Sequence, residues 1–210
     1  MARPTHADAS AALAELDPTM ARLVREHGPM RLPRPPRADG RFEDLAESIA
    51  YQQLAGRAAA TIWGRFRALY GPGPLDADEV LATPVESLRA AGLSGAKTAA
   101  ILDLARHVAD GTLTLDRAGR MADDEVVAQL VQVRGIGPWT AHMFLLFTLQ
   151  RLDVWPVGDY GVRTGYGLAY GMAEAPAPAA LAELGERFRP YRSVAAWYCW
   201  RVLDAPGGRS

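Results

Sequence analysis

A tight glycine turn between two helical patterns is the feature that most limits how this chain can fold. Residues 133–141 read VRGIGPWTA, and an apolar pattern of helical period ends just before the turn. Gly135 and Gly137 permit a sharp reversal, and Pro138 suits the first turn of a helix. A lone Gly-x-Gly indicates only a packed turn. Here the longer string also predicts outward-facing N–H groups at a helix start, which can bind a phosphate oxygen.

Helical spacing continues along most of the chain, and no stretch alternates as a half-buried strand does. Before residue 42 the pattern predicts one helix near 9–26, followed by a Pro-rich connector at 31–39. GPGP at 71–74 breaks the helical signal. The sequence therefore predicts an all-α protein of many short helices, in one unit or in two close-packed lobes.

Composition excludes several classes of protein. The chain has 210 residues, 49% of them hydrophobic, which suffices for a buried core. The one cysteine, Cys199, excludes an internal disulfide and a four-cysteine metal site. The histidines show no metal-ligand spacing; they are His6, His27, His107 and His142. No apolar run reaches the length of a membrane span, and the first residues lack the apolar core of a signal peptide.

The charge balance limits how the chain could hold a nucleic acid. Its net charge is −1, from 23 basic and 24 acidic residues. Binding by bulk electrostatics needs a positive excess, so a DNA partner would be held locally, by arginines or backbone N–H groups. Lys97 is the one lysine.

An aspartate stands between the apolar helix after the glycine turn and the next predicted helix. Asp159 stands in PVGDYGVR, at the expected start of another helix. One interpretation is a helix N-cap, a common use of aspartate. The other is a catalytic carboxylate. The two are compatible, because a helix N-terminus favours the ionised form.

Several segments together resemble a known family. VRGIGPWTA is similar to the helix-hairpin-helix, and PVGDYGVR to the Gly/Pro-rich loop and aspartate, of the HhH-GPD superfamily. Further similarity lies in SIAYQQLAGRAA, GLSGAKTAAI and PYRSVAAWYCW. From about residue 42 to 203 the chain resembles the DNA-3-methyladenine glycosylase II family, in its compact all-helical form without an N-terminal β domain.

The resemblance implies a two-lobed helical fold with the active-site cleft between the lobes. Residues 1–41 would form an N-terminal helix and a connector that pack on the second lobe, and 42–210 the glycosylase core. Within that core we expect central helices over 42–133 and a hairpin and catalytic region over 134–171. C-terminal helices over 172–204 would return to the cleft.

The resemblance also implies a monofunctional DNA glycosylase of base excision repair. It would flip out alkylated purines, 3-methyladenine and also 7-methylguanine and related lesions, and leave an abasic site. Asp159 would be catalytic, because a carboxylate about 4 Å from a cationic sugar contributes about 4 kcal/mol, about a thousandfold in rate. Relatives that also cut the DNA backbone carry a lysine where this chain has Trp139, so no strand cleavage is expected.

Aromatic residues supply the predicted base pocket. The resemblance places Trp139 and Trp200 where a flipped, cationic base would stack on an indole face. Tyr191, Met143 and Phe147 are further candidates. Trp139, Met143 and Phe147 keep the spacing of one helix face, and aromatic residues at such spacing more often build a core.

Hairpin and turn residues are predicted to contact DNA. Gly135, Gly137 and Thr140 belong to the hairpin. The resemblance places Leu54, with Gln53 beside it, where a side chain fills the gap left by the flipped nucleotide. A helix-end leucine packed inside the protein is the open alternative for Leu54. Ser94 and Lys97 are expected to stabilise a second, hairpin-like turn.

The expected partner is damaged double-stranded DNA, bound by a monomer in the cytoplasm, or at the nucleoid in a bacterium, with no membrane association. No cofactor or metal is required, beyond at most a monovalent cation held by hairpin backbone carbonyls. One alternative is a non-catalytic helix-hairpin-helix DNA-binding module of a repair assembly. Asp159 and the two tryptophans argue against it, because a pure binder needs neither. A helical scaffold without a DNA partner draws support only from the net charge.

Overall fold

The computed structural model describes residues 4–204, and over that range the chain is helical without a β-strand, which confirms the all-α prediction. The α-helices are α1 (His6–Leu16), α2 (Pro18–His27), α3 (Arg41–Tyr51), α4 (Gly56–Arg67), α5 (Ala77–Ala82), α6 (Val85–Ala90), α7 (Gly95–Ala109), α8 (Asp123–Leu130), α9 (Pro138–Met143), α10 (Tyr160–Ala169), α11 (Pro178–Gly185) and α12 (Arg192–Asp204). Short 3₁₀ turns occur at Ala38–Gly40, Ala118–Arg120 and Glu186–Phe188, and a π-helical segment, Phe144–Thr148, continues α9.

The described chain divides into two compact units. The terminal unit combines residues up to Arg34 with those from Gln150 onward, and the central unit is Pro35–Leu149. The sequence prediction places a single boundary after residue 41. In the terminal unit α12 packs against α10, α2 and α1, and in the central unit α7 packs against α5 and α3. Among the described helices, none combines the length and the hydropathy that crossing a membrane requires.

The N-terminal region forms two helices where the sequence predicted one over 9–26. Asp17 ends α1 and caps α2, where its Oδ1 accepts two backbone N–H groups and Pro18 occupies the first turn. The Tyr170 hydroxyl donates to the same Oδ1 at 2.9 Å, and the Arg187 guanidinium lies 3.5 Å from Oδ2. The spacing of apolar residues does not reveal this break, because one residue both ends the first helix and caps the second. No extra residues separate the two helices.

A close crossing of α10 and α12 organises the terminal unit. A Cβ added to Gly165 of α10 would overlap the backbone carbonyl of Cys199 in α12. One turn earlier, a Cβ on Gly161 would lie 2.8 Å from Cδ1 of Trp200. Glycine at these two positions therefore lets the helices approach until α12 side chains reach the start of α10.

The loop that leads into α10 is fixed by the start of α12. Asp153 accepts hydrogen bonds at 2.7 Å from the guanidinium groups of Arg189 and Arg192. The Ser193 hydroxyl, fully buried, accepts the Val154 N–H at 2.9 Å. Charge-assisted bonds of this kind hold a loop more firmly than neutral ones, so the chain enters α10 along a defined path.

The crossing can be tested by adding a methyl group at the crossing and, as a control, at a helical glycine away from it. Gly165→Ala should lower the free energy of unfolding by about 3 kcal/mol, because the new Cβ forces α10 away from α12. Gly64→Ala in α4 is the control, since its Cβ would meet nothing within 4 Å. That variant should gain about 0.5–1 kcal/mol from the better helix propensity of alanine. Urea unfolding measures both, and equal stability of the two variants would contradict the close crossing.

Candidate functional site

The predicted hairpin forms between α8 and α9. Gly135 has φ +79°, and Gly137 is the N-cap residue of α9 with Pro138 directly after it. A Cβ at Gly135 would approach the Cβ of Ala100 in α7 to 3.1 Å, whereas nothing lies within 4 Å of one at Gly137. Gly135 thus serves the turn and its packing. Gly137 leaves open surface at the start of α9, where no side chain caps the helix.

Long side chains from other helices hold this hairpin in place. The Gln52 amide, at the end of α3, donates to the Gly135 carbonyl at 3.0 Å. The Asp103 carboxylate of α7 accepts the Arg134 N–H at 2.9 Å. Neither Gln52 nor Asp103 is a sequence candidate, because a bond from a side chain to a distant backbone group leaves no local pattern.

The second glycine turn is tied to the end of α3 as well. Ser94 caps α7, where its hydroxyl accepts the Lys97 N–H at 3.3 Å. The Lys97 ammonium donates to the Ala50 carbonyl at 2.7 Å, and burial lowers its pKa. The one lysine of the chain is therefore engaged in packing α7 on α3.

The turn between α3 and α4 presents side chains to solvent. Gln53 has φ +56°, which is uncommon for a residue with a side chain and occurs where surroundings enforce it. Leu54 follows with 39% of its surface exposed, and its N–H donates to the Tyr51 carbonyl at 3.3 Å. Leu54 is thus partly exposed, so its side chain can reach a partner.

The hairpin helix carries three of the predicted base-pocket residues, Trp139, Met143 and Phe147. Beyond Met143 the helix widens into the π-helical segment, in which the Leu149 N–H donates to the Phe144 carbonyl at 3.0 Å. Met143 and Phe147 line one cavity, whereas Trp139, 49% exposed, does not belong to its lining.

A cavity of about 150 Å³ lies between α3 and this hairpin helix, inside the central unit. Its lining comprises Asp44, Leu45, Ser48, Thr140, Met143, Phe144, Phe147 and Thr148. Asp44 accepts a hydrogen bond from the Thr148 hydroxyl at 3.0 Å. Burial raises the pKa of Asp44, opposed by that bond and reinforced by the nearby charge of Glu43. Thr140, a predicted DNA contact, is buried at this wall.

In the terminal unit, Asp159 is fixed at the start of α10. Its Oδ1 accepts the Val162 N–H at 2.7 Å and the Trp200 indole N–H at 2.9 Å. The residue is buried, with 8% of its surface exposed. The capping geometry expected from sequence is therefore present. The indole donor from α12 adds a second constraint that keeps the carboxylate in one orientation.

The surroundings of Asp159 on α12 exclude a thiol nucleophile. The Trp200 indole N–H donates to the Asp159 carboxylate. Cys199, which precedes Trp200 in α12, is fully buried. Burial, and then the negative charge of Asp159, raise the pKa of the Cys199 thiol, so it stays protonated. Tyr191, the remaining predicted aromatic, lies half-buried immediately before α12, where its carbonyl accepts the N–H groups at the helix start.

Within residues 4–204, no group of three or more His, Cys, Asp or Glu side chains is arranged to hold a metal ion. The central unit thus carries the hairpin, the exposed turn and a small cavity. The terminal unit carries an oriented carboxylate at a helix start. An oriented carboxylate stabilises developing positive charge, and an uncapped helix start binds anions.

Comparison with known proteins assigns the chain to a family. The model of the HhH-GPD superfamily of base excision DNA repair proteins matches residues 46–190. DNA-3-methyladenine glycosylase 1 of Schizosaccharomyces pombe is 32% identical over 192 residues, which cover 90% of this chain and 84% of that protein. DNA-3-methyladenine glycosylase 2 of Escherichia coli is 29% identical over 168 residues, 76% of this chain and 56% of its own. The chain belongs to the HhH-GPD superfamily, as its motifs predicted.

Solved structures show the same relationship. The 3-methyladenine DNA glycosylase Mag1 of Schizosaccharomyces pombe, in complex with abasic DNA, superposes with a TM-score of 0.84 at 31% identity, over 96% of this chain and 98% of that one. The DNA-3-methyladenine glycosidase of Bacillus halodurans gives 0.81 at 33% identity, over 94% and 88%. The predicted glycosylase fold is confirmed.

The single cysteine provides a direct check of packing around Asp159. Native protein at pH 8 should not react with a disulfide reagent such as DTNB, because the Cys199 thiol is buried and its pKa is raised. After denaturation it should react as one thiol per chain. Absorbance of the released thiolate measures both states. Rapid reaction of the native protein would show that the α10–α12 crossing is open.

Proposed function

We propose that this protein is a DNA glycosylase that removes alkylated purines, 3-methyladenine foremost, from duplex DNA and leaves an abasic site for base excision repair. One observation carries the proposal. The Asp159 carboxylate is held by the Val162 N–H and the Trp200 indole at the start of α10. The proposal is also supported by the glycosylases to which the chain is similar over most of its length.

The reaction suits a fixed carboxylate. As the N-glycosidic bond breaks, its electron pair stays with the alkylated purine, and the sugar gains positive charge at C1′. Asp159 stabilises that charge without moving, because its orientation is already set. The water oxygen then bonds to C1′ and its proton passes to solvent. A purine alkylated at N3 or N7 leaves as a neutral base, so the reaction needs no dedicated general acid.

We further propose that the enzyme does not cleave the DNA strand. Cleavage through a Schiff base needs an amine at the sugar, and the hairpin offers the Trp139 indole instead. The ammonium of Lys97 already donates to the Ala50 carbonyl at 2.7 Å. The predicted product is therefore an abasic site in an uncut strand.

DNA binding in this proposal is local, as a net charge of −1 requires. The uncapped start of α9 and the open surface at Gly137 allow a phosphate oxygen to approach backbone N–H groups. Leu54, in the exposed turn after α3, fills the gap left by the flipped nucleotide. Trp139 and Trp200, with Tyr191, contribute aromatic surface to the extruded base. A monomer suffices for these contacts.

The proposed chemistry uses no cofactor. A monovalent cation bound by hairpin backbone carbonyls would stiffen the turn. Within that turn the Val133 carbonyl accepts the Ile136 N–H at 3.1 Å.

The decisive experiment measures free bases released from methylated duplex DNA by chromatography. Wild type should release methylpurines and leave alkali-labile but uncut DNA. Asp159→Asn should reduce release about a thousandfold, the loss expected for one fixed charge beside the sugar. Asp78→Asn, an equal charge change at an exposed position of α5, should keep full activity. If wild type binds duplex but releases no base, the protein is a binding module instead.

The role of Leu54 can be separated from catalysis by the form of the DNA. Leu54→Ala should slow base release from duplex DNA about tenfold, because the leucine side chain offsets about 1.4 kcal/mol of the unstacking cost. Release from single-stranded DNA should be unchanged, since no gap forms. Leu69→Ala, another exposed leucine of the central unit, is the control. Equal slowing on both forms of DNA would assign Leu54 a folding role.

A further inference from the structure

The cavity beside the hairpin helix is large enough for a small planar aromatic ligand. Its volume is about 150 Å³. Engineered cavities of about 150 Å³ in other proteins bind benzene. The π-helical segment forms one wall, and π-helical turns inserted in α-helices are frequent at functional sites. The cavity therefore has a size and a position that suit a small planar ligand.

The walls of this cavity differ in chemistry. Leu45, Met143, Phe144 and Phe147 form an apolar and aromatic side. Asp44, Ser48, Thr140 and Thr148 supply hydroxyl and carboxyl groups. Binding sites for small aromatic ligands have this composition: mostly apolar lining with a few placed polar groups that fix orientation.

Of the two Asp44 carboxylate oxygens, one accepts a hydrogen bond from a described residue. Its Oδ2 accepts the Thr148 hydroxyl at 3.0 Å, and no described residue donates to Oδ1. The carboxyl has no cationic partner within residues 4–204, where the neighbouring charges are those of Glu43 and Glu47. Glu43 is already paired with Arg67 at 2.7 Å. A half-buried carboxylate without a counter-ion costs stability, which a cationic ligand would restore.

We propose that Asp44 selects the excised base by accepting a hydrogen bond from the 6-amino group of a cationic, alkylated adenine. This inference rests on the proposed glycosylase function and names its substrate class. Adenine presents an amino donor at position 6, whereas guanine and hypoxanthine present an oxygen acceptor there. The Asp44 carboxylate accepts a hydrogen bond from the amino group of adenine and repels the oxygen of guanine or hypoxanthine. The enzyme therefore prefers alkyladenines to alkylguanines and to hypoxanthine.

The test compares two lesions in one reaction. Duplex DNA treated with a methylating agent contains 3-methyladenine and 7-methylguanine, and chromatography gives the release rate of each per lesion. Asp44→Asn should lower the ratio of adenine to guanine release about tenfold or more, because the amide can donate to the guanine oxygen. Glu47→Gln, the next carboxylate along α3 and absent from the cavity lining, should keep the wild-type ratio.

A second measurement needs no variant and covers the case in which Asp44→Asn does not fold. Free adenine and free hypoxanthine, which differ at position 6, are compared as inhibitors of the wild type. Adenine should inhibit at about a tenfold lower concentration. Equal inhibition by the two bases, or an unchanged release ratio in a folded Asp44→Asn protein, overturns the role of Asp44. Equal loss of both bases in that variant does so too. Failure of wild type to release any base instead contradicts the glycosylase function.

Discussion

The hydrogen bond from the Trp200 indole to the Asp159 carboxylate depends on how closely α10 and α12 approach. It spans 2.9 Å, and it exists because Gly161 and Gly165 present no side chain to α12. Asp153 and Ser193 then fix the path by which the chain enters α10. A carboxylate set by helix packing stabilises charge without reorganising, which is what a reaction through a cationic sugar requires.

The central unit solves a different problem, the binding of a polyanion by a chain with a net charge of −1. Its hairpin offers backbone N–H groups, which can bind phosphate but carry no formal charge. They therefore add nothing to the net charge that attracts DNA at long range. Gln52 and Asp103 hold that hairpin to α3 and α7. Phosphate contacts of this kind fix the register of a protein on a duplex without reading its sequence.

Much of this architecture could be predicted from the sequence, and what was missed has physical causes. The glycine turn, the helical class and the position of Asp159 at a helix start follow from local patterns, because turns and caps depend on neighbouring residues. The break at Asp17 was missed, since a residue that ends one helix and caps another leaves apolar spacing unchanged. Gln52 and Asp44 act on partners distant in sequence, at Gly135 and Thr148, so no window of sequence contains the information.

The π-helical segment after α9 also bears on how relatives are compared. It accommodates one residue more than an α-helical turn. In a homologue lacking that residue, the side chains after the missing position would lie about 100° further around the helix axis. Thr148 would then no longer face α3, and another side chain would meet Asp44. Homologues with and without the extra residue in this turn would therefore line the cavity with side chains from different sequence positions.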